Sequence, residues 1–181
     1  MALCRVTVMD VRIDTRNDAP VVILRDATKS DMYLPIWVGE PEAASIQMAI
    51  EKRNYARPLT HDLIVHLLDL AGITPIMLRI DRIVDQTYFA EFVVEANEER
   101  VDVDCRPSDG IALALRKNIP IYVDDRLLYE IKFTEGEEEV GEGVDEPQEA
   151  FDPEQFKQFL HTITPKDFLG TTPGEGADRE G

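Results

Sequence analysis

The sequence predicts an α+β fold: a single compact domain with a mixed, mainly antiparallel sheet and about three helices, followed by an acidic tail. Three observations predict it. Strand-like runs rich in β-branched residues come in groups, not in strict alternation with helices. Three segments carry apolar residues at helical spacing, and each opens on Pro, a hydroxyl residue or carboxylates. The acidic excess gathers at one end. The chain has 181 residues, 44% hydrophobic and 30% charged, with a net charge of −17, a composition that supports one buried core and excludes collagenous, coiled-coil and wholly disordered chains. Residues 134–181 hold 3 basic against 14 acidic side chains, net −11, and residues 1–133 hold 16 against 22, net −6. The division expected is a domain over 1–133, an acidic disordered linker over 134–150, and a tail over 151–181 with one short amphipathic helix.

Residues 4–13 and 20–26 read as two strands joined by the turn chemistry of Thr15, Arg16, Asn17 and Asp18, most simply a hairpin. Residues 32–38 read as a third strand, with Pro35 placing it at an edge or bulge. Gly39-Glu40-Pro41-Glu42 has the grammar of a helix start, and Ala43, Ile46, Ala49 and Ile50 share one face of a helix over about 41–52. Thr60 is a good N-cap for a second helix, in which Leu63, Ile64, Leu67, Leu68 and Ala71 recur before Gly72 stops it. Residues 76–83, 88–95 and 100–104 read as a β-meander. Ser108 caps a short third helix with Ile111, Ala114 and Leu115 on one stripe and Arg116 and Lys117 at the favourable C-terminal end. A strand over 119–123 and a helical turn or two over 124–130 complete the domain. In the tail, Phe156, Phe159, Leu160 and Ile163 form a stripe on a helix over about 153–162, too short to persist unless it docks.

No apolar run approaches the 18 or so residues of a membrane span, and the first residues enter an alternating pattern with no signal core. The expectation is a cytoplasmic protein with no membrane partner. Cys4 and Cys105 lie far apart without ligand spacing, which fits a reducing compartment. A mildly acidic domain offers no bulk attraction for nucleic acid, so any polyanion site must be local.

Local chemistry concentrates at the helix starts. Arg57-Pro58-Leu59-Thr60-His61-Asp62 and Arg106-Pro107-Ser108-Asp109 each set an Arg-Pro pair before a hydroxyl and an acid. Free backbone N–H groups at a helix N-terminus, with an Arg fork beside them, make a phosphate or carboxylate site. Pro, Ser, Thr and Asp also begin helices everywhere, and the acid offsets the dipole; both readings stand. His61 could act as a general base or phosphate partner, or be an ordinary capping residue. His66 is off its face, which removes a helical zinc pair. Glu40, Glu42, Asp62 and Asp109 would suit Mg2+ or Mn2+, although spacing alone favours solvated helix-start acids. Trp37 and Tyr33 read as packing residues. No nucleophile motif, P-loop or dinucleotide fingerprint appears.

Several of these motifs together resemble the bifunctional nuclease family: Leu34-Pro35-Ile36-Trp37-Val38-Gly39-Glu40-Pro41-Glu42-Ala43-Ala44, then Arg57-Pro58-Leu59-Thr60-His61-Asp62-Leu63, Thr87-Tyr88-Phe89-Ala90, Arg106-Pro107-Ser108-Asp109-Gly110-Ile111-Ala112-Leu113-Ala114 and Pro120-Ile121-Tyr122-Val123. The resemblance spans about residues 5–130. It implies one α+β domain that acts on both DNA and RNA and tends to form homo-oligomers. Two departures are Gln86, in a turn where the family often has Gly, and Gly110, where Ala is common; Gly110 is expected to weaken its helix by under about 1 kcal/mol.

The resulting expectation is a divalent-metal-assisted nuclease. His61, Asp62 and Asp109 are the catalytic candidates, Arg57, Thr60, Arg106 and Ser108 bind substrate, and Glu40 and Glu42 hold Mg2+ or Mn2+. The alternative is a non-catalytic regulatory module that binds an anionic ligand or a protein at the same helix starts. Arg57 and Arg106 are expected to converge on one anion site, and alanine at His61 or Asp62 to reduce activity with a stability loss of only about 0.5 to 2 kcal/mol. Removing the acidic tail is expected to raise nucleic-acid affinity, unless its apolar stripe docks on the domain, in which case removal lowers the melting temperature.

Overall fold

The computed structural model describes residues 2–14, 18–53 and 56–130. The expected linker over 134–150 and tail over 151–181 lie outside the described residues. In chain order the elements are β1 (Leu3–Asp14), β2 (Ala19–Asp26), β3 (Met32–Trp37), α1 (Glu40–Ile50), α2 (Thr60–Leu70), β4 (Thr74–Val84), β5 (Thr87–Ala96), β6 (Glu99–Cys105), α3 (Pro107–Lys117), β7 (Ile121–Asp124), a single 3-10 turn (Asp125–Leu127) and β8 (Tyr129–Glu130). The strands form one eight-stranded sheet in the order β6-β5-β4-β7-β1-β2-β3-β8. Every pairing is antiparallel except β4 with β7, because α3 intervenes as a crossover between the meander and β7. This is the α+β domain with three helices that the grouped strands predict.

The core lies between the sheet and the helices. Val22, Leu24, Leu34 and Ile36 from β2 and β3 meet Ile46 of α1, and Leu78, Ile80, Ala90 and Phe92 from β4 and β5 meet Ile111, Ala112 and Ala114 of α3. Alternation along each strand decides which side chains face it. Helix α2 is held differently: His61 is its one buried residue, while Leu63, Leu67 and Leu70 remain exposed. Pro35 sits on the outer edge of β3 beyond the two-residue β8, which pairs only with Met32 and Tyr33, so its missing N–H breaks no ladder bond there. The turns joining β4 to β5 and β5 to β6 put Asp85, Gln86, Asn97 and Glu98 at positive φ, the two-residue hairpin conformation.

Three local expectations need correction. Leu59, not Thr60, is the N-cap of α2, and Asp62 reaches back to accept the Leu59 N–H at 2.9 Å. Arg106, not Ser108, is the N-cap of α3, with Pro107 as its first residue, the position at which a missing N–H matters least. Gly110, which composition marks only as a weak helix former, lies where α3 presses on β4. A Cβ there would stand 2.3 Å from Leu78 Cδ1 and 3.2 Å from Cys105 Sγ, and Leu78 is wholly buried. Gly110→Ala is therefore expected to destabilise. Overpacking costs about 1 to 3 kcal/mol and the propensity gain offsets up to about 1, leaving a net loss of up to about 2 kcal/mol in urea denaturation.

The 3-10 turn adds a pH dependence. Asp124, fully buried, accepts bonds from Arg126 Nη2, Nε and N at 2.7, 2.8 and 3.1 Å. These bonds outweigh burial and bring its pKa down to about 2. A depressed carboxyl stabilises the fold above its unfolded value near 3.8 and loses that contribution as pH falls through about 2. Denaturation midpoints are expected to drop between pH 4 and 2, and Asp124→Asn to flatten that drop while lowering stability at neutral pH.

Candidate active site

The first turns of the three helices meet through one hydrogen-bonded network. At its outer end is Arg106, the N-cap of α3, with a side chain 65% exposed. Its Nε donates to Asp109 Oδ2 at 2.7 Å and its Nη2 to Asp109 Oδ1 at 3.1 Å, while Nη2 also donates to Glu42 Oε1 at 2.7 Å. One guanidinium thus ties the start of α1 to the start of α3, in the planar fork geometry that suits carboxylate or phosphate. The Asp109 bonds, and then those of Glu42, raise the Arg106 pKa further, so its charge is permanent.

Asp109 leads inward. Burial pushes its pKa up, but the Arg106 and His61 hydrogen bonds outweigh burial and hold it below the usual carboxylate value. His61 Nε2 lies 3.2 Å from Asp109 Oδ1, and His61 Nδ1 lies 2.9 Å from Ser45 Oγ on α1. Since Asp109 is ionised, Nε2 carries the proton that faces it. With that proton on Nε2, Nδ1 is the nitrogen that accepts from the Ser45 hydroxyl. Both His61 and Ser45 are buried. Expecting His61 at an open helix mouth therefore understates its structural part: alanine here strands Ser45 Oγ and weakens the support of Asp109, a loss of about 1 to 3 kcal/mol on top of any effect on helix start.

Behind His61 stands Arg116, from the last turn of α3. Its side chain, 11% exposed, donates from Nε to Asp62 Oδ1 at 2.6 Å and from Nη1 to the Ala112 and Ser45 carbonyls at 3.0 and 3.2 Å. Asp62 thus uses one oxygen for Arg116 and the other for the Leu59 N–H; these bonds overcome burial and lower its pKa. Lys117 Nζ adds a 2.7 Å bond to Asp69, further along α2.

Of the residues expected from sequence, the structure brings together Glu42, His61, Asp62, Arg106 and Asp109. Ser108 is buried beside them in the first turn of α3. Thr60 is exposed and caps nothing. Arg57 is exposed in the connection before α2, outside the network that holds Arg106, and its side chain pairs with no described residue. Glu40 lies on a different side of α1: with Ala43, Ala44 and Gln47 it lines a pocket against Val11, Ile13 and Pro20, while Glu42 takes Arg106. No group of three or more His, Cys, Asp or Glu among the described residues is arranged to hold a metal ion. Glu40 and Glu42 therefore do not fit a shared Mg2+ or Mn2+ site.

Ser45 and Arg116 are the residues that sequence reading missed. Ser45 carried a faint signal, a polar residue between Ala43 and Ile46 on the buried side of α1. Arg116, two turns after Asp109, read only as a favourable helix-end charge.

Comparisons with known proteins point to one family. A model of the bifunctional nuclease domain matches residues 22–135, which include every member of the network. An uncharacterized protein of Mycobacterium tuberculosis is 37% identical over 169 residues, covering 92% of this chain and 98% of that one. Such a span takes in at least about 36 of the 51 residues after Glu130, so the tail is shared with that relative. Bifunctional nuclease 2 of Oryza sativa subsp. japonica is 32% identical over 113 residues, and bifunctional nuclease 1 of Arabidopsis thaliana 30% identical over 113; each match covers 61% of this chain and 35% of the plant protein. No helix among the described residues is long and apolar enough to cross a membrane.

Proposed function

Because the chain belongs to the bifunctional nuclease domain family, we propose that it hydrolyses phosphodiester bonds of DNA and RNA where the first turns of α1, α2 and α3 meet. The observation that carries this reading is the unbroken series Ser45, His61, Asp109, Arg106 and Glu42, running from a buried hydroxyl to an exposed guanidinium. Arg106 binds a phosphate oxygen, exchanging Glu42 for the substrate. The N–H groups at the start of α3 lie beside it and favour the same charge. Asp109 accepts three hydrogen bonds, two at Oδ1 and one at Oδ2, which leaves one acceptor position on Oδ2. A water held there gives a proton to Asp109 as its oxygen bonds to the phosphorus held by Arg106, and the ester P–O bond opposite breaks, its departing oxygen taking a proton from solvent. His61 fixes the carboxylate, Ser45 fixes the ring, and Asp62 fixes the start of α2 through Arg116. No step is routed through a metal ion, and the working form is a homo-oligomer.

A second reading, a non-catalytic module that binds an anionic ligand, is favoured by one observation: both ring nitrogens of His61, the base expected from sequence, are engaged by Ser45 and Asp109 inside the protein. One experiment separates them. Purified protein is assayed on single-stranded DNA and RNA with magnesium, with manganese and with chelator, alongside an equally pure Arg106→Ala variant. The nuclease reading requires cleavage that the variant loses. Binding without cleavage under every condition supports the module, and loss of cleavage with chelator alone restores a metal to the mechanism.

A further inference from the structure

The sheet has two faces, and the helices cover one. On the other, Val21 and Ile23 of β2 project beside Tyr33, Pro35 and Trp37 of β3, as the register pairs of Val21 with Trp37 and Ile23 with Pro35 require. Val21 and Ile23 are 0% exposed and Tyr33 2%, and Pro35 is buried too. None of the four belongs to the helix-side core. Among the described residues the helix that packs substantially against these strands is α1, and its Ile46 joins the opposite face with Val22 and Leu24. Elsewhere on the outer face, Val93 of β5 has a ready roof, since Arg100 of β6 reaches across β5 to within 3.9 Å of Met77 Sδ on β4. Val21 has one as well, since Trp37 of β3 reaches across β2 to Asp14 of β1, but none lies over Ile23 among the described residues. Ile23, Tyr33 and Pro35, all buried on a sheet face that no described helix covers, require a layer over them.

We propose that this layer is the chain's own tail, with Phe156, Phe159, Leu160 and Ile163 docked on the outer face of β2 and β3. The chain leaves the described domain at the right edge: β8 ends at Glu130, paired with Met32 on β3. From there 26 residues lead to Phe156. A flexible linker of that length spans about 25 to 30 Å on average, and strands of six to eight residues are about 20 to 27 Å long, so the whole patch is within reach. The four residues fall at i, i+3, i+4 and i+7, one face of a helix that needs a surface to persist. Charge does not decide the occupant: Arg5, Arg12 and Arg25 project from the same outer face by register, but so do Asp14 and Asp10, and Asp10 pairs with Arg12. The tail is also part of the match to the mycobacterial relative. This inference does not depend on the nuclease reading, since the patch lies on the face away from the helix starts.

Trp37 is the sole tryptophan and stands at the rim of the patch, with its Nε1–H donated to Asp14 Oδ2 at 3.1 Å. It reports directly on cover. Acrylamide quenching of Trp37 and thermal melting are measured for the full chain, for a chain ending at residue 133, and for full-length Phe159→Asp/Leu160→Asp, which keeps the tail. Docking requires at least a twofold rise in the quenching constant and a lower Tm in the double variant, and in the truncate where it folds. Unchanged quenching and melting in the double variant overturns the proposal. So does shielding that survives the double substitution but is lost on dilution, which assigns the cover to a second copy. Cleavage or binding at the helix starts is read separately, so a failure there leaves this result intact.

Discussion

Asp109→Asn is expected to lower phosphodiester hydrolysis by about 100-fold or more, the range for removing a group that handles a proton in the transition state, while the domain remains folded. The substitution is isosteric. Its single oxygen stays at the Oδ1 position, where His61 Nε2 and Arg106 Nη2 both donate. The new amide then faces Arg106 Nε in place of Oδ2, donor against donor, and the acceptor position for water disappears. Arg106 keeps Glu42 and its charge, so nucleic-acid binding is expected to change far less than turnover. Stability should fall by about 1 to 2 kcal/mol, for one charge-assisted bond exchanged for a repulsive contact at a partly exposed site. Single-turnover cleavage measured beside equilibrium binding on the same preparations checks this. Turnover equal to wild type removes Asp109 from the chemistry.

The fold was legible because each element carried its own signal. Alternation placed Val22, Leu24, Leu34 and Ile36 on one side, and the stripe of Ile111 and Ala114 placed α3 over the sheet. What sequence could not supply was distance between helices. His61 reads as a helix-start residue from its neighbours alone; only the approach of α1 and α3 buries it between Ser45 and Asp109. Glu40 and Glu42 look equivalent two residues apart, yet a helix turns by about 200° over that interval, which sends one toward β1 and the other to Arg106. Arg57 and Arg106 share a local motif, but the motif records how a helix begins and not where it begins in space. Gly110 shows the same limit in packing: propensity weighs the helix alone, and the close approach of Leu78 decides the residue.

Arg116 is the sharpest case, and its replacement has the second largest expected effect. Arg116→Met is expected to destabilise the domain by about 2 to 3 kcal/mol and to reduce activity without touching any group placed near substrate. Methionine fills the volume of the stem but donates nothing, so Asp62 Oδ1 and the Ser45 carbonyl lose a partner in a half-buried setting. Removing one member of a fully buried pair costs about 3 to 5 kcal/mol; Asp62 is 36% exposed and can rehydrate, which brings the figure down. The consequence for the site runs through α2. Few of its side chains are buried, so its position rests heavily on the Arg116 and Lys117 contacts, and His61 moves with it. Lysine cannot substitute, because an ammonium has no planar fork with which to reach Asp62 and the carbonyls together. Arg116→Lys should therefore recover only part of the stability. A double-mutant cycle with Asp62→Asn tests the link: if the ion pair transmits the effect, the two substitutions should be non-additive in both denaturation and turnover. Additive losses would mean that Arg116 acts through α1 and α3 alone.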